Sequence, residues 1–282
     1  MYALNDCYIL KNGVRIPCVG YGTWQATTQT ALEAIACGYR LIDTAALHGN
    51  EEAMGLAVRE SGVPREEVFV TTKLLNTVGG YEETLEAFDA SLKRLGLDYC
   101  DLYLIHWPNP VHFRDRWQQR NEQVWRAMEK LYNEGVIRAI GMSNFRKHHI
   151  DALLKSASVM PMVNQLHLNP AVGQKELVET CHALGMVVEA YSPLGRGTLL
   201  QQPEIVACAE AHHITTAQVC LRWSLQHGFL PLPKSANAQR IRNNADLFGF
   251  SLNDEEMKML DGVEARFEGH FDYTGDPDTI QF

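Results

Sequence analysis

Residues 68–74, VFVTTKL, form a short β-branched and apolar run with a lysine, Lys73, next to its end. Such a run reads as a buried strand, yet a cation is not what a core selects at a strand's end. The design recurs in seven more places: CVGYGTW at 18–24, RLIDTA at 40–45, DLYLIHW at 101–107, IRAIGMSNF at 137–145, MVNQLHL at 162–168, MVVEAYSPL at 186–194 and FLPLPKS at 229–235. Between the runs lie helical patterns. Leu85, Phe88, Leu92 and Leu95 share one face of residues 82–95, and Val124, Met128, Leu131 and Tyr132 share one face of 121–134. Gly96 and Gly135 fall where these helices should stop. Between Tyr191 and Phe229 there is room for two helices, one more than strict alternation requires. Ahead of the series, Asn12-Gly13 in YILKNGVRIP predicts a hairpin with a tight I′ turn.

Eight buried strands alternating with helices predict a parallel sheet covered on its outer face, either closed as a barrel or open and doubly wound. The strand ends decide between them. Asp43, Lys73, His106, Ser143 with Asn144, Gln165 with His167, Tyr191 and Lys234 all sit at C-terminal strand ends, and only a barrel brings these onto one face. VGYGTWQ also lacks the third glycine of a dinucleotide fingerprint. The expected fold is therefore α/β: a single (β/α)8 TIM barrel over residues 1–282, with an N-terminal β-hairpin and extra helices near the C-terminus. No linker or repeat divides it.

The chain has 282 residues and a net charge of −9, with a pI of about 5.7, which argues against nucleic acid or an anionic membrane as partner. Seven scattered cysteines without a CxxC pair read as reduced thiols, and the start shows no leader-like apolar stretch. Cytoplasmic is the expected location and monomer the default state.

Each strand-end residue also has a plain structural reading. Asp43 and Thr44 would serve equally to cap a helix opening near Asn50. Lys73 would serve as a snorkelling surface lysine, His106 as a core histidine bonded to a carbonyl, and Gln165 and Tyr191 as core-edge residues. Joint placement at converging ends favours an acid–base cluster instead. A cationic spot, Lys234, Ser235, Arg240 and Arg242 in PLPKSANAQRIRNN, falls where a barrel's last loops and a short helix build a phosphate site. A solvated basic helix face is the alternative.

The chain resembles the aldo-keto reductases. GYRLIDTA with GNE, VTTKL, LIHWP, IGMSNF, NQLHLNP, AYSPLGRG and LPKSANAQRIRNN follow that family's signatures in order, from near residue 20 to near 245. The resemblance implies an NADPH-dependent enzyme that reduces a small aldehyde or ketone to an alcohol without a metal. It implies Asp43, Lys73 and His106 as three of four catalytic residues. Ser143, Asn144 and Gln165 would hold the nicotinamide carboxamide, with Tyr191 stacked under the ring. Ser192 and Leu194 would pass near the pyrophosphate, and Gly22, Thr23 and Asp43 would also line the cofactor cleft. Lys234, Ser235 and Arg240 would grip the 2′-phosphate, with Asn244 at the adenine. Trp24 and Trp107, with His48 and His106, would line the substrate pocket.

Two positions depart from the family pattern. Asn243 stands where a glutamate is common. His48, in DTAALHGNE, stands where the family has the tyrosine that donates the proton. Histidine is a competent acid, but its ring reaches less far than a phenol. A lysine cation within ~4 Å would also disfavour imidazolium by about 4 kcal/mol or less at an effective dielectric near 20. A neutral imidazole and attenuated reduction follow, with His48, His106 or water as the proton source. The alternatives are a non-catalytic NADPH-binding sensor or partner protein, and a metal-dependent hydrolase using His48, His106, His167 and Asp43. Pocket specificity would lie near Trp24, in residues 109–120 and in the tail, 268–282, which would either cross the mouth or hang free.

Overall fold

The computed structural model describes residues 1, 3–264, 266–267 and 276–281. All eight expected strands are present: β3 (Tyr21–Gly22), β4 (Leu41–Asp43), β5 (Phe69–Leu74), β6 (Cys100–Ile105), β7 (Ile137–Ser143), β8 (Val163–His167), β9 (Val187–Tyr191) and β10 (Leu230–Leu232). They pair in parallel, each with its neighbour in sequence. The ring closes where Gly20 N donates to Pro231 O and Gly22 N to Pro233 O, both at 3.0 Å. Glycine is what this seam needs. A Cβ on Gly22 would stand 2.8 Å from Leu232 O, and one on Gly20 would collide with Leu41.

A jacket of helices surrounds the ring: α1 (Thr28–Ala36), α2 (Glu51–Glu60), α3 (Tyr81–Leu95), α4 (Trp117–Asn133), α5 (Lys147–Leu153), α6 (Lys175–Ala183), α7 (Pro203–His212) and α8 (Thr216–Gln226). Two more, α9 (Ala238–Ala245) and α10 (Asp254–Asp261), follow β10. The second helix expected between Tyr191 and Phe229 is α7. In α3 the face read from sequence is the packed one, with Phe88 buried, Leu85 and Leu92 against the same core, and Leu95 buried in the neighbouring one. Fully burying a side chain of this size contributes roughly 1.5–3 kcal/mol. Gly96 ends α3 in the left-handed conformation at φ 62°. Thr27, Thr215 and Asn253 cap α1, α8 and α10 reciprocally with the residue three further on.

The N-terminal hairpin pairs β1 (Cys7–Ile9) with β2 (Arg15–Pro17). Its turn is not the expected I′ type. Gly13 N donates to Leu10 O, so Lys11 and Asn12 are the central residues and Gly13, at φ 83°, follows them as a bulge. Asn12 is held instead by a bond from its amide to Arg138 O at 2.8 Å, which leaves the left-handed conformation to glycine alone. Leu10 and Ile16 pack with Leu41, Phe69, Val163 and Leu230, the first residues of their strands or nearly so. The hairpin thus plugs the N-terminal end of the barrel. The C-terminal end is left for chemistry.

Part of the tail falls in the described residues. Asp278 accepts from Asn109 Nδ2 at 3.0 Å and meets His149 Nε2 at 2.9 Å, while Arg114 donates to Ile280 O. Residues 276–281 are therefore docked beside the loop that follows β6; residues 268–275 and 282 lie outside the described residues. Among the described residues no helix is long and apolar enough to cross a membrane.

Candidate active site

Asp43 ends β4 and Lys73 lies near the end of β5, and both side chains turn into the barrel. Lys73 is 1 % exposed. Its ammonium donates to Asp43 Oδ1 at 2.7 Å, Asp43 Oδ2 at 2.8 Å and Thr44 O at 2.9 Å. The snorkelling reading of Lys73 is overturned, because nothing of its head reaches solvent. The capping reading of Asp43 and Thr44 fails too. Asp43 faces Lys73, and Thr44 donates its hydroxyl hydrogen to Asn50 Oδ1 at 3.0 Å. Asn50 opens α2 without capping it and donates to Thr23 O and Ala26 O. It ties together the loops after β3 and β4.

Those two loops present Trp24 and His48. His48 ends a short 3-10 turn, Ala46–His48, and Gly49 follows at φ 67°. The rings of His48 and Trp24 meet edge to face at 5.2 Å, and His48 and His106 at 6.4 Å. Burial, then the Lys73 cation, lowers the His48 pKa to about 3. The neutral imidazole expected from sequence is what the surroundings favour, but desolvation outweighs the lysine that sequence reasoning invoked. His106 is pushed well below its usual range by burial, then by Lys73 and His48. It is not bonded to a carbonyl as a core histidine would be; its Nδ1 is buried without a partner, and its own carbonyl accepts from Asn144 Nδ2 at 3.0 Å.

A second layer of amides surrounds this pair. Gln165, from β8, donates from Nε2 to Asp43 Oδ1 at 2.9 Å and to Glu189 Oε2 at 2.7 Å. Ser143 Oγ donates to Gln165 O at 2.9 Å, and Tyr191 OH donates to Asn144 Oδ1 at 2.8 Å. Asn144 and Ser192 adopt left-handed backbone at φ 63° and 49°, a conformation that costs a non-glycine residue energy and clusters at binding sites. Tyr191 stacks on His167 at 5.4 Å. Trp24 is 45 % exposed and Trp107 only 5 %, so the first lies open to a ligand and the second is largely covered. Trp107 O accepts from the buried Arg120 at 3.2 Å. Leu194 packs partly buried between the two helix-side cores.

The cationic spot spans α9: Lys234 precedes the helix, Arg240 lies in its first turn and Arg242 in its last. Asn237 caps that helix by accepting from Arg240 N at 3.0 Å, and Ser235 Oγ accepts from Asn237 N at 3.1 Å. Lys234, Arg240 and Arg242 are exposed, and none is paired with a carboxylate among the described residues. Asn244 is buried, and Asn243 accepts from Gln239 at 2.8 Å. Free cations at a helix N-terminus are chemically suited to a phosphate.

The four residues of the metal-hydrolase reading do not bring ligand atoms together. Among the described residues, the group within coordination reach is His148, His149 and Asp278. There His149 Nδ1 accepts from Arg146 N at 3.2 Å, which leaves the ring hydrogen on Nε2, facing Asp278. That is a hydrogen-bonded latch for the tail. A nitrogen bearing hydrogen has no lone pair for a metal.

Thr23, expected to line the cofactor cleft, also brings its hydroxyl within 3.3 Å of His48 Nδ1. Sequence reasoning missed one participant. Glu189 accepts from Gln165 directly, and its signal was in plain view: one acid inside an otherwise apolar strand, two residues before Tyr191 and so on the same face.

Comparison with known proteins now bears on this geometry. Residues 19–265 match the Aldo/keto reductase family. The chain is 48% identical to the glyoxal reductase of Bacillus subtilis over 266 residues, 93% of this chain and 94% of that protein. It is 45% identical to the morphine 6-dehydrogenase of Pseudomonas putida, across 90% of each chain. Among solved structures, a Bombyx mori aldo-keto reductase in complex with NADP superposes with a TM-score of 0.84 at 36% identity, covering 93% of this chain and 92% of the other. A barrel closed in this order, holding a buried lysine–aspartate pair beside two histidines at its open end, has its place among these proteins: the chain belongs to the aldo/keto reductase family.

Proposed function

We propose that residues 1–282 act as one barrel domain that reduces a small aldehyde or ketone to the alcohol with NADPH, slowly, because a histidine occupies the proton-donor position. The buried Lys73–Asp43 pair beside His48 and His106 carries this reading. The residues present suit the dinucleotide. Gln165 Oε1 is an amide oxygen with no partner among the described residues, and the cations at the head of α9 have no carboxylates. Lys234, Ser235 and Arg240 would hold the 2′-phosphate and Asn244 the adenine end. Ser192 and Leu194 would flank the pyrophosphate, Ser143, Asn144 and Gln165 the carboxamide, and Gly22, Thr23 and Tyr191 the rest of the cleft. NADPH bound there supplies a hydride to the carbonyl carbon. The chain's own task is then to orient the carbonyl between Trp24, His48, His106 and Trp107, and to bring a proton to its oxygen. An ammonium that spends three hydrogens on Asp43 and Thr44 has none left to bond His48, and its charge disfavours the imidazolium that would donate the proton.

That same saturation favours a second reading, an NADPH-binding protein without turnover. Mixing the purified protein with NADPH and a panel of activated aldehydes and dicarbonyls across roughly pH 5 to 8 separates the two. Slow cofactor oxidation supports the reductase; tight binding with no oxidation anywhere in the panel supports the binding protein. Failure to bind NADPH ends both.

A further inference from the structure

Glu189 has no exposed surface, and apolar residues precede and follow it in β9. It nonetheless stands inside the barrel with its Oε2 2.7 Å from Gln165 Nε2, the nitrogen that also lies 2.9 Å from Asp43 Oδ1. A primary amide carries two N–H donors. Both are taken, one by a carboxyl from β4 and one by a carboxyl from β9. The amide therefore has a fixed sense: its nitrogen is committed to the two acids, and its carbonyl oxygen is the group left over. We propose that Glu189 is a positioning residue that locks Gln165 in this sense, so that the site reads an N–H donor at Oε1, as the primary carboxamide of a nicotinamide provides. This rests on the dinucleotide reading above.

The charge balance supports it. Asp43 is already matched by Lys73, and no second cation pairs with Glu189 among the described residues. Burial, then the neighbouring Asp43, raises the Glu189 pKa to about 8. These surroundings favour the neutral acid, which accepts from Gln165 through its carbonyl oxygen and adds no charge beside Asp43. Its Oε1 has no protein partner. A glutamine at 189 would copy this resident form in shape and charge. A leucine would fill the space without an acceptor. Gln165 would then keep one bond, to Asp43, and its amide would gain freedom to turn.

The experiment compares binding of NADPH with binding of its 3-acetylpyridine analogue, in which a methyl group replaces the carboxamide NH2. Titrations use the unaltered protein, Glu189→Gln and Glu189→Leu. The unaltered protein should prefer NADPH. Glu189→Gln should keep that preference, and Glu189→Leu should reduce it by about threefold to tenfold, the worth of one oriented hydrogen bond. A merely space-filling Glu189 predicts the same preference in both variants; that result, or a glutamine that behaves as leucine does, overturns the proposal. An unaltered protein that binds neither dinucleotide overturns the dinucleotide reading itself, a distinct outcome. A second measurement needs no cofactor. A carboxyl whose pKa rises from 4.5 to about 8 on folding costs stability as pH climbs through that window. Glu189→Gln should lessen this decline in urea unfolding, and an unchanged decline would count against a neutral Glu189.

Discussion

His48 Nδ1 lies 3.3 Å from Thr23 Oγ1, and the hydrogen of that hydroxyl is already committed to Asp43 O at 2.9 Å. A threonine hydroxyl has one hydrogen. The imidazole must therefore be the donor in the pair, which puts its own hydrogen on Nδ1 and leaves Nε2 bare. In its neutral form the ring offers the pocket a lone pair. With its pKa lowered to about 3, roughly one ring in 10⁴ is imidazolium at neutral pH. Toward the pocket, neutral His48 is built as an acceptor.

Reduction through His48 needs the rare imidazolium, whose fraction drops tenfold per pH unit above its pKa. Initial rates should show kcat/KM for aldehyde reduction falling roughly tenfold per unit between about pH 5 and 8, while alcohol oxidation, which uses the neutral ring as base, stays level. A level profile for reduction would assign the proton to water. A falling profile that survives in His48→Phe would assign it to His106.

A phenol at position 48 should speed reduction. In His48→Tyr the hydroxyl reaches further than the imidazole nitrogen, and one ammonium hydrogen of Lys73 can turn to it. We expect kcat for reduction to rise about 10²- to 10⁴-fold, the usual contribution of a general acid, with a flatter pH profile. NADPH binding, measured by titration, should stay within about twofold, since that replacement leaves the cations of α9 untouched. Unchanged turnover would mean that the histidine is not what limits the protein.

The fold was legible because the barrel's demands are written at strand ends. Asp43, Lys73, Gln165 and Tyr191 are residues that a strand buried among apolar neighbours would avoid, and eight such ends specify a common face. What sequence could not show is orientation. Which way Thr23 turns its hydroxyl, how Lys73 divides its hydrogens, and that Glu189 shares an amide with Asp43 are three-dimensional choices, made through hydrogen bonds between residues as far as 122 positions apart. The hairpin turn was misread for a similar reason. Asn-Gly permits two registers, and the bond from Asn12 to Arg138 O, across the barrel floor, accompanies the longer one.

The Lys73–Asp43 pair should behave as one unit in stability. The two side chains are 1 % and 4 % exposed, so removing either strands the other's charge inside the barrel. Lys73→Met and Asp43→Asn should each cost about 3–5 kcal/mol in urea unfolding at neutral pH, as broken buried pairs do. The double variant should cost less than the sum by about 1 kcal/mol or more. Additive costs would mean that the pair is open to water.

Lys234 and Arg240 are exposed and free of carboxylates, the opposite of a stabilising arrangement, and they flank a helix N-terminus whose own cap is satisfied by Asn237. Cations left unpaired in a chain of net charge −9 are available to an anion that arrives. If that anion is a 2′-phosphate, replacing either with alanine should weaken NADPH binding by about tenfold to a hundredfold, the range of one charge-assisted hydrogen bond. NADH binding should hardly change, because an unphosphorylated ribose gives those side chains nothing to meet. Raising salt should erode the NADPH preference of the unaltered protein and much less that of the variants, since exposed charges are screened. Thermal stability should stay constant in both. Parallel losses for the two dinucleotides would instead place these cations on the pyrophosphate or on the helix itself, and the preference for the phosphorylated cofactor would have to come from elsewhere.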